Sequence, residues 1–155
     1  MSKTKASPIP EGYHTVTPYL FVKDGLAALD FYHRAFNAKE MVRFMKPDGR
    51  LGHAEIKIGD SMIMLADEFP EMHAYSPSHY KGSPVMLHLY VPDVDALFQQ
   101  AVAAGAKVVQ PVEDQFYGDR SGGILDPEGH SWYLATRKEE LSPDEIFQRL
   151  EKMKK

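Results

Sequence analysis

Residues 19–24 read YLFVKD, and 69 positions later residues 88–93 read HLYVPD. Each segment alternates apolar and polar side chains as a strand does, meets an Asp, and runs into a helical pattern. The helical stretches are DGLAALDFYHRAF and DVDALFQQAVAAG, and each closes on a similar stop, Asn37-Ala38-Lys39 and Gly105-Ala106-Lys107. Two copies of one supersecondary unit in a short chain pack as a pseudo-symmetric pair. A ligand site then commonly lies where the copies face each other.

The rest of the composition narrows the function classes. A chain of 155 residues with 43% hydrophobic content can bury the core of a single domain, residues 1–155. A net charge of −4 and scattered Lys and Arg argue against nucleic acid as a partner. The absence of Cys excludes disulfides, thiolate catalysis and Cys-ligated zinc. No apolar run is long enough to span a bilayer, and the start MSKTKASPIPEG lacks the apolar centre of a signal peptide. The expectation is a cytoplasmic protein with a flexible lead-in.

Local patterns place the elements. A first strand is expected over 15–22, with Pro18 marking an edge or a barrel corner, and a helix over 25–36 behind Asp24. Strands follow at 39–46, 51–58 and 61–67, joined by the turns Pro47-Asp48-Gly49-Arg50 and Gly59-Asp60. That completes a β-α-β-β-β module over 13–67. Residues 68–83 (EFPEMHAYSPSHYKGS) show no periodicity and read as a long linker, a lid or a crossover. The second module, 84–137, reads as strand 84–91, helix 94–104, strand 107–112, loop 113–123, a short strand at 124–125 and strand 130–136. Ser142-Pro143-Asp144-Glu145 opens a C-terminal helix within 138–155.

The phrases VTPYLFV, AALDFYHRAF, PDGRLGHAEIKIGDSMIMLADE, HLYVPDVDALF and QFYGDRSGGILDPEGHSWYLAT together resemble the vicinal oxygen chelate superfamily of glyoxalases, extradiol dioxygenases and bleomycin- and fosfomycin-resistance proteins. Its PhnB-like branch is the nearer likeness. The resemblance implies an α+β fold of paired βαβββ modules forming an eight-stranded half-barrel around a cavity, with helices on the convex side. It also implies a homodimer, often with the cavity near the subunit boundary.

Metal-dependent members hold their ion from the first and last strands of each module. Carried over, those positions are Thr17, Met64, Met86 and Tyr133, both pairs again 69 apart. A hydroxyl, two thioethers and a high-pKa phenol are a poor set for a divalent cation that wants carboxylate, imidazole or water. The expectation is therefore no metal and no cofactor. Strand alternation extends the same face to Tyr19, Met62, His88 and Tyr90. With Phe116, Tyr117 and Arg120 from the following loop, these residues make up the expected ligand-binding cavity. Its thioether and aromatic walls suit a small, partly apolar or aromatic molecule.

Several residues keep two readings. His53 and Glu55 share a strand face, either as an acid–base pair or as a solvent-side pair on a hairpin. His88 is a general base or a hydrogen-bonded cavity imidazole. His53, Glu55 and His88 together are the alternative metal set. Arg120 either grips a ligand carboxylate or phosphate or ties its loop down through an internal ion pair. His14, His73 and His79 read as surface residues, and His130 as a turn cap. The function expected is metal-independent small-molecule binding. The alternative is a glyoxalase-type lyase or isomerase using a relocated metal or the His/Glu pair.

Overall fold

The computed structural model describes residues 4–155. The first module comprises β1 (Tyr19–Val22), α1 (Gly25–Phe36), β2 (Lys39–Met45), β3 (Leu51–Ile58) and β4 (Ser61–Asp67). Its sheet has the order β1-β4-β3-β2, with β1 parallel to β4. The linker contains a 3₁₀ turn (Pro70–Met72) and one turn of helix, α2 (Pro77–Tyr80). The second module comprises β5 (Met86–Tyr90), α3 (Val94–Ala104), β6 (Lys107–Asp114), β7 (Asp119–Leu125) and β8 (Ser131–Arg137), in the matching order β5-β8-β7-β6. Helix α4 (Pro143–Met153) follows. This is the expected α+β architecture of paired modules and a C-terminal helix, its eight strands hydrogen-bonded as two sheets of four.

The internal repeat is visible in atomic detail. The Asp24 carboxylate accepts from Ala27 N at 3.0 Å, and the Asp93 carboxylate accepts from Ala96 N at 3.1 Å. Each satisfies a donor that the first helical turn leaves free. Asn37 ends α1 in the left-handed conformation, φ 57°. Tyr19 lies opposite Met64, and His88 lies opposite Tyr133, so the 69-residue offset is also an offset of sheet register.

Both helices cover the same side of their sheets, where Leu20, Val22, Ile56, Leu65, Ile124, Trp132 and Leu134 are buried. The helices also pack on each other. The Gln100 amide on α3 donates to the Arg34 and Ala35 carbonyls and to Asn37 Oδ1 at the end of α1. Trp132, the only tryptophan, lies 4.8 Å from the Phe36 ring and 5.5 Å from the Tyr32 ring, so one aromatic cluster joins the modules. The turn before β8 reaches across as well. Glu128 accepts from Lys23 N and Asp24 N, and His130 Nε2 contacts the Phe21 carbonyl at 2.9 Å. His130 is thus a tie between modules and not simply a turn cap.

Other expectations are corrected. Strand β1 begins at Tyr19, which leaves Thr17 and Pro18 outside it, and β5 spans only Met86–Tyr90. The stretch 113–123 is not a single loop: β6 runs to Asp114, and β7 starts at Asp119. Gly122 and Gly123 disguised that strand, because glycine is a poor strand former. They are there for space. A Cβ on Gly122 would come within 2.8 Å of the Phe98 ring on α3, and one on Gly123 within 3.2 Å of the Tyr133 ring.

Candidate functional site: two open sheet faces and an aromatic linker

Each sheet turns its second face away from the helices. On the first sheet, β1 presents Tyr19 and Phe21, β4 presents Met64, and β3 presents His53 and Glu55. These side chains are linked. Tyr13, from the lead-in, donates its hydroxyl hydrogen to Glu55 Oε2. The other carboxylate oxygen lies 3.2 Å from His53 Nε2, and His53 Nδ1 lies 2.8 Å from the Tyr19 hydroxyl. The Tyr13 hydrogen bond, followed by that of His53, holds the Glu55 carboxyl below its ordinary value, so it is ionised at neutral pH. An ionised Glu55 only accepts, so His53 Nε2 carries the hydrogen and donates to it. Burial, reinforced by Glu55, pushes the Tyr13 phenol up to about 12 and also raises that of Tyr19. His53 and Glu55 are thus partly buried members of a four-residue chain.

On the second sheet the open face carries Met86, His88, Tyr90 and Tyr133. The His88 ring lies 4.7 Å from the Tyr90 ring and 5.6 Å from the Tyr133 ring. Tyr90 donates to Asp119 at 2.9 Å, and Tyr133 donates to Gln110 at 3.3 Å. Beneath them the Ser121 hydroxyl is buried with no hydrogen-bond partner among the described residues. Tyr90 is 66% exposed, so this wall of rings opens outward.

The remaining expected site residues fall in different places. Met62 lies on the open face of β4 but is buried. Phe116 and Tyr117 pack edge to face in the turn before β7, where burial raises the Tyr117 phenol. Arg120 is not a cavity residue. Its guanidinium grips Asp95 at 2.8 and 3.0 Å and Asp114 at 3.2 Å. Alternation along β7 sends Asp119 to the open face and Arg120 to the helix side, where the acidic start of α3 satisfies it. This is the internal ion pair, and it leaves little of the fork for a ligand.

The metal positions can be tested on their donors. Met64 N donates to the Pro18 carbonyl at 2.9 Å; Thr17 sits two residues before the register partner of Met64, as Met86 sits two residues before the partner of Tyr133. The side chains remain a hydroxyl, two thioethers and a phenol, a set that does not fit a divalent cation. His53, Glu55 and His88 lie on two different sheets. Among the described residues, no group of three His, Asp or Glu comes together around a point where an ion would sit.

The linker forms a further wall. Two adjoining cavities, of about 320 and 720 Å³, both border Tyr19, Phe21, Tyr75 and Tyr80. Phe69 and Met72 line the larger one. Tyr13 and these linker aromatics were missed in the sequence. Three aromatic residues, Phe69, Tyr75 and Tyr80, in a segment without periodicity were the available signal.

With this geometry in view, comparison with known proteins is informative. Residues 13–134 match the family described as the Glyoxalase/Bleomycin resistance protein/Dioxygenase superfamily. Uncharacterised proteins of Mycobacterium bovis and Mycobacterium tuberculosis are 46% identical over 134 residues, which is 84% of this chain and 88% and 79% of theirs. The crystal structure of TioX from Micromonospora sp. ML1 superposes with a TM-score of 0.64 at 28% identity, covering 78% of this chain and 96% of TioX. FosX, the fosfomycin resistance protein of Listeria monocytogenes, solved with Mn(II) and sulfate, has a TM-score of 0.63 at 17% identity over 86% of this chain and 97% of FosX, a likeness of fold alone. The chain belongs to the Glyoxalase/Bleomycin resistance protein/Dioxygenase superfamily.

Proposed function

We propose that this protein binds and sequesters a small, partly aromatic molecule without a metal ion, in the manner of the PhnB-like, drug-resistance branch of its superfamily. The supporting observation is the donor set at Thr17, Met64, Met86 and Tyr133. It offers soft and phenolic side chains where an ion-dependent member would need hard ligands. Around it stand Tyr19, His88 and Tyr90, apolar bodies with polar tips, which describe a ligand pocket better than a hydrolytic or redox centre. The open faces belong to opposite modules, so a homodimer that sets one copy's first sheet against the other's second would close each pocket.

The test is thermal stabilisation by a broad library of neutral aromatic compounds. A ligand held at 100 times its Kd adds about 2.7 kcal/mol to the folded state. For a chain of this size that amounts to a rise in Tm of about 5–10 °C. No stabilisation by any compound, or a divalent ion at one equivalent per chain after purification without chelator, would refute the reading.

The Tyr13–Glu55–His53–Tyr19 chain favours a second reading, a lyase or isomerase acting by acid–base chemistry. There Tyr19 would exchange a proton with the ligand, His53 would take up the Tyr19 proton, and the Glu55 carboxylate would stabilise the resulting imidazolium. Turnover abolished by His53→Ala, with ligand affinity retained, would favour this reading over sequestration.

A further inference from the structure

We infer that the linker and β1 form a stacking pocket for an uncharged planar aromatic group. This inference rests on the binding reading and specifies which part of the ligand is recognised and where. The linker is a fixed wall. Glu68 Oε1 accepts from Ser76 N at 2.9 Å and from Ser76 Oγ at 2.5 Å, and Ser76 is fully buried. Phe69 and Ala74 exchange backbone hydrogen bonds of 2.8 and 3.1 Å. Buried Pro77 packs under the turn at Gly129, where an added Cβ would lie 3.2 Å from the proline ring.

This anchored frame carries its rings on the outside. Tyr75 stacks on His79 at 3.8 Å with planes 8° apart, and Tyr80 stands edge-on to both. Tyr80 is 62% exposed and Met72 75% exposed, although apolar groups of this size gain most from burial. Across the shared cavity, Tyr19 and Phe21 lie 5.1 Å apart on β1. Rings on two walls favour a flat aromatic guest over a saturated one of equal size, because stacking adds to area burial. Charge selects as well. Among the described residues no Asp, Glu, Lys or Arg lines either cavity; His73 and His130 are the histidines there, and Lys46 and Arg50 lie over the Phe69 ring already paired with Glu71, so a neutral group gives up less water on entry than an ionised one.

The experiment uses 2-naphthol and its saturated counterpart decahydro-2-naphthol, titrated calorimetrically into the full-length protein. The expected result is about tenfold tighter binding of the aromatic probe. That preference should disappear in Tyr80→Ala and Tyr75→Leu, with 2-naphthoate binding more weakly than 2-naphthol. Ring-current shifts of the linker tyrosine resonances on adding 2-naphthol to the unmutated protein give an independent reading, should either variant fold poorly. If affinity survives in both linker variants but falls in Tyr133→Leu, the group sits on the second sheet. The stacking pocket is then overturned while the binding reading stands. If the two probes bind equally well, the aromatic preference is overturned. If neither binds and no library compound stabilises the fold, both readings fail.

Discussion

Among the described residues, Asp126 accepts more hydrogen bonds than any other side chain. Its two oxygens accept from the Tyr32 hydroxyl, the Trp132 indole and the backbone N–H groups of Glu128 and His130, and the residue is nearly inaccessible to water. Burial, with the adjacent Asp126 charge, pushes the Tyr32 phenol well above its ordinary value, so Tyr32 remains a donor at any working pH. Replacing the carboxylate by a methyl group would leave two buried side-chain donors and two backbone donors unsatisfied. We expect Asp126→Ala to cost about 3–5 kcal/mol. In urea titrations this would appear as a lower midpoint with an unchanged slope.

Among the elements, the linker is the one whose order depends on a single titrating group. The hydrogen bonds from Ser76, side chain first and backbone second, hold the Glu68 carboxyl below its ordinary value of 4.5. A carboxylate depressed in the folded state contributes stability that is present above its unfolded-state value and is lost as pH falls through its folded-state value. Acidification below 4.5 should therefore loosen the segment from Phe69 to Tyr80 before the sheets respond. Hydrogen exchange at the linker amides should accelerate in that window. In Glu68→Gln the exchange should be faster at neutral pH and should lose this pH dependence. The same acidification should weaken 2-naphthol binding if the linker is the stacking wall.

At the scale of the molecule, stability and recognition use opposite sides of the sheets. The helix sides bury one continuous core across both modules, with Trp132 against Phe36 and Tyr32 at the junction. The open sides keep Tyr19, Met86 and Tyr90 in contact with solvent. The modules should consequently unfold together. Trp132 fluorescence and far-ultraviolet circular dichroism are expected to give coincident denaturation curves. Trp132→Ala should destabilise the whole chain by about 3–5 kcal/mol, through both lost burial and the cavity left behind. Separate transitions would show that the junction does not couple the modules.

Local patterns and internal repetition determined much of this protein in advance. The Asp24 and Asp93 caps, the helices they start, the Gly49 and Gly59 turns and the Ser142 capping box are local signals, and each element formed where its residues placed it. The repeat then fixed which strands correspond, and alternation fixed which face each side chain takes. Only the tertiary structure decided the rest, because it depended on neighbours distant in the chain. Asp119–Leu125 is a strand because β6 and β8 pair with it on both sides, and it holds Gly122 and Gly123 because Phe98 and Tyr133 need the room they leave. Arg120 leaves the cavity because Asp95 and Asp114 lie on its side of the sheet. Tyr13 joins the open face through a carboxylate 42 residues away. The linker rings became a wall because Glu68 fastens Ser76, a pairing that no periodicity records.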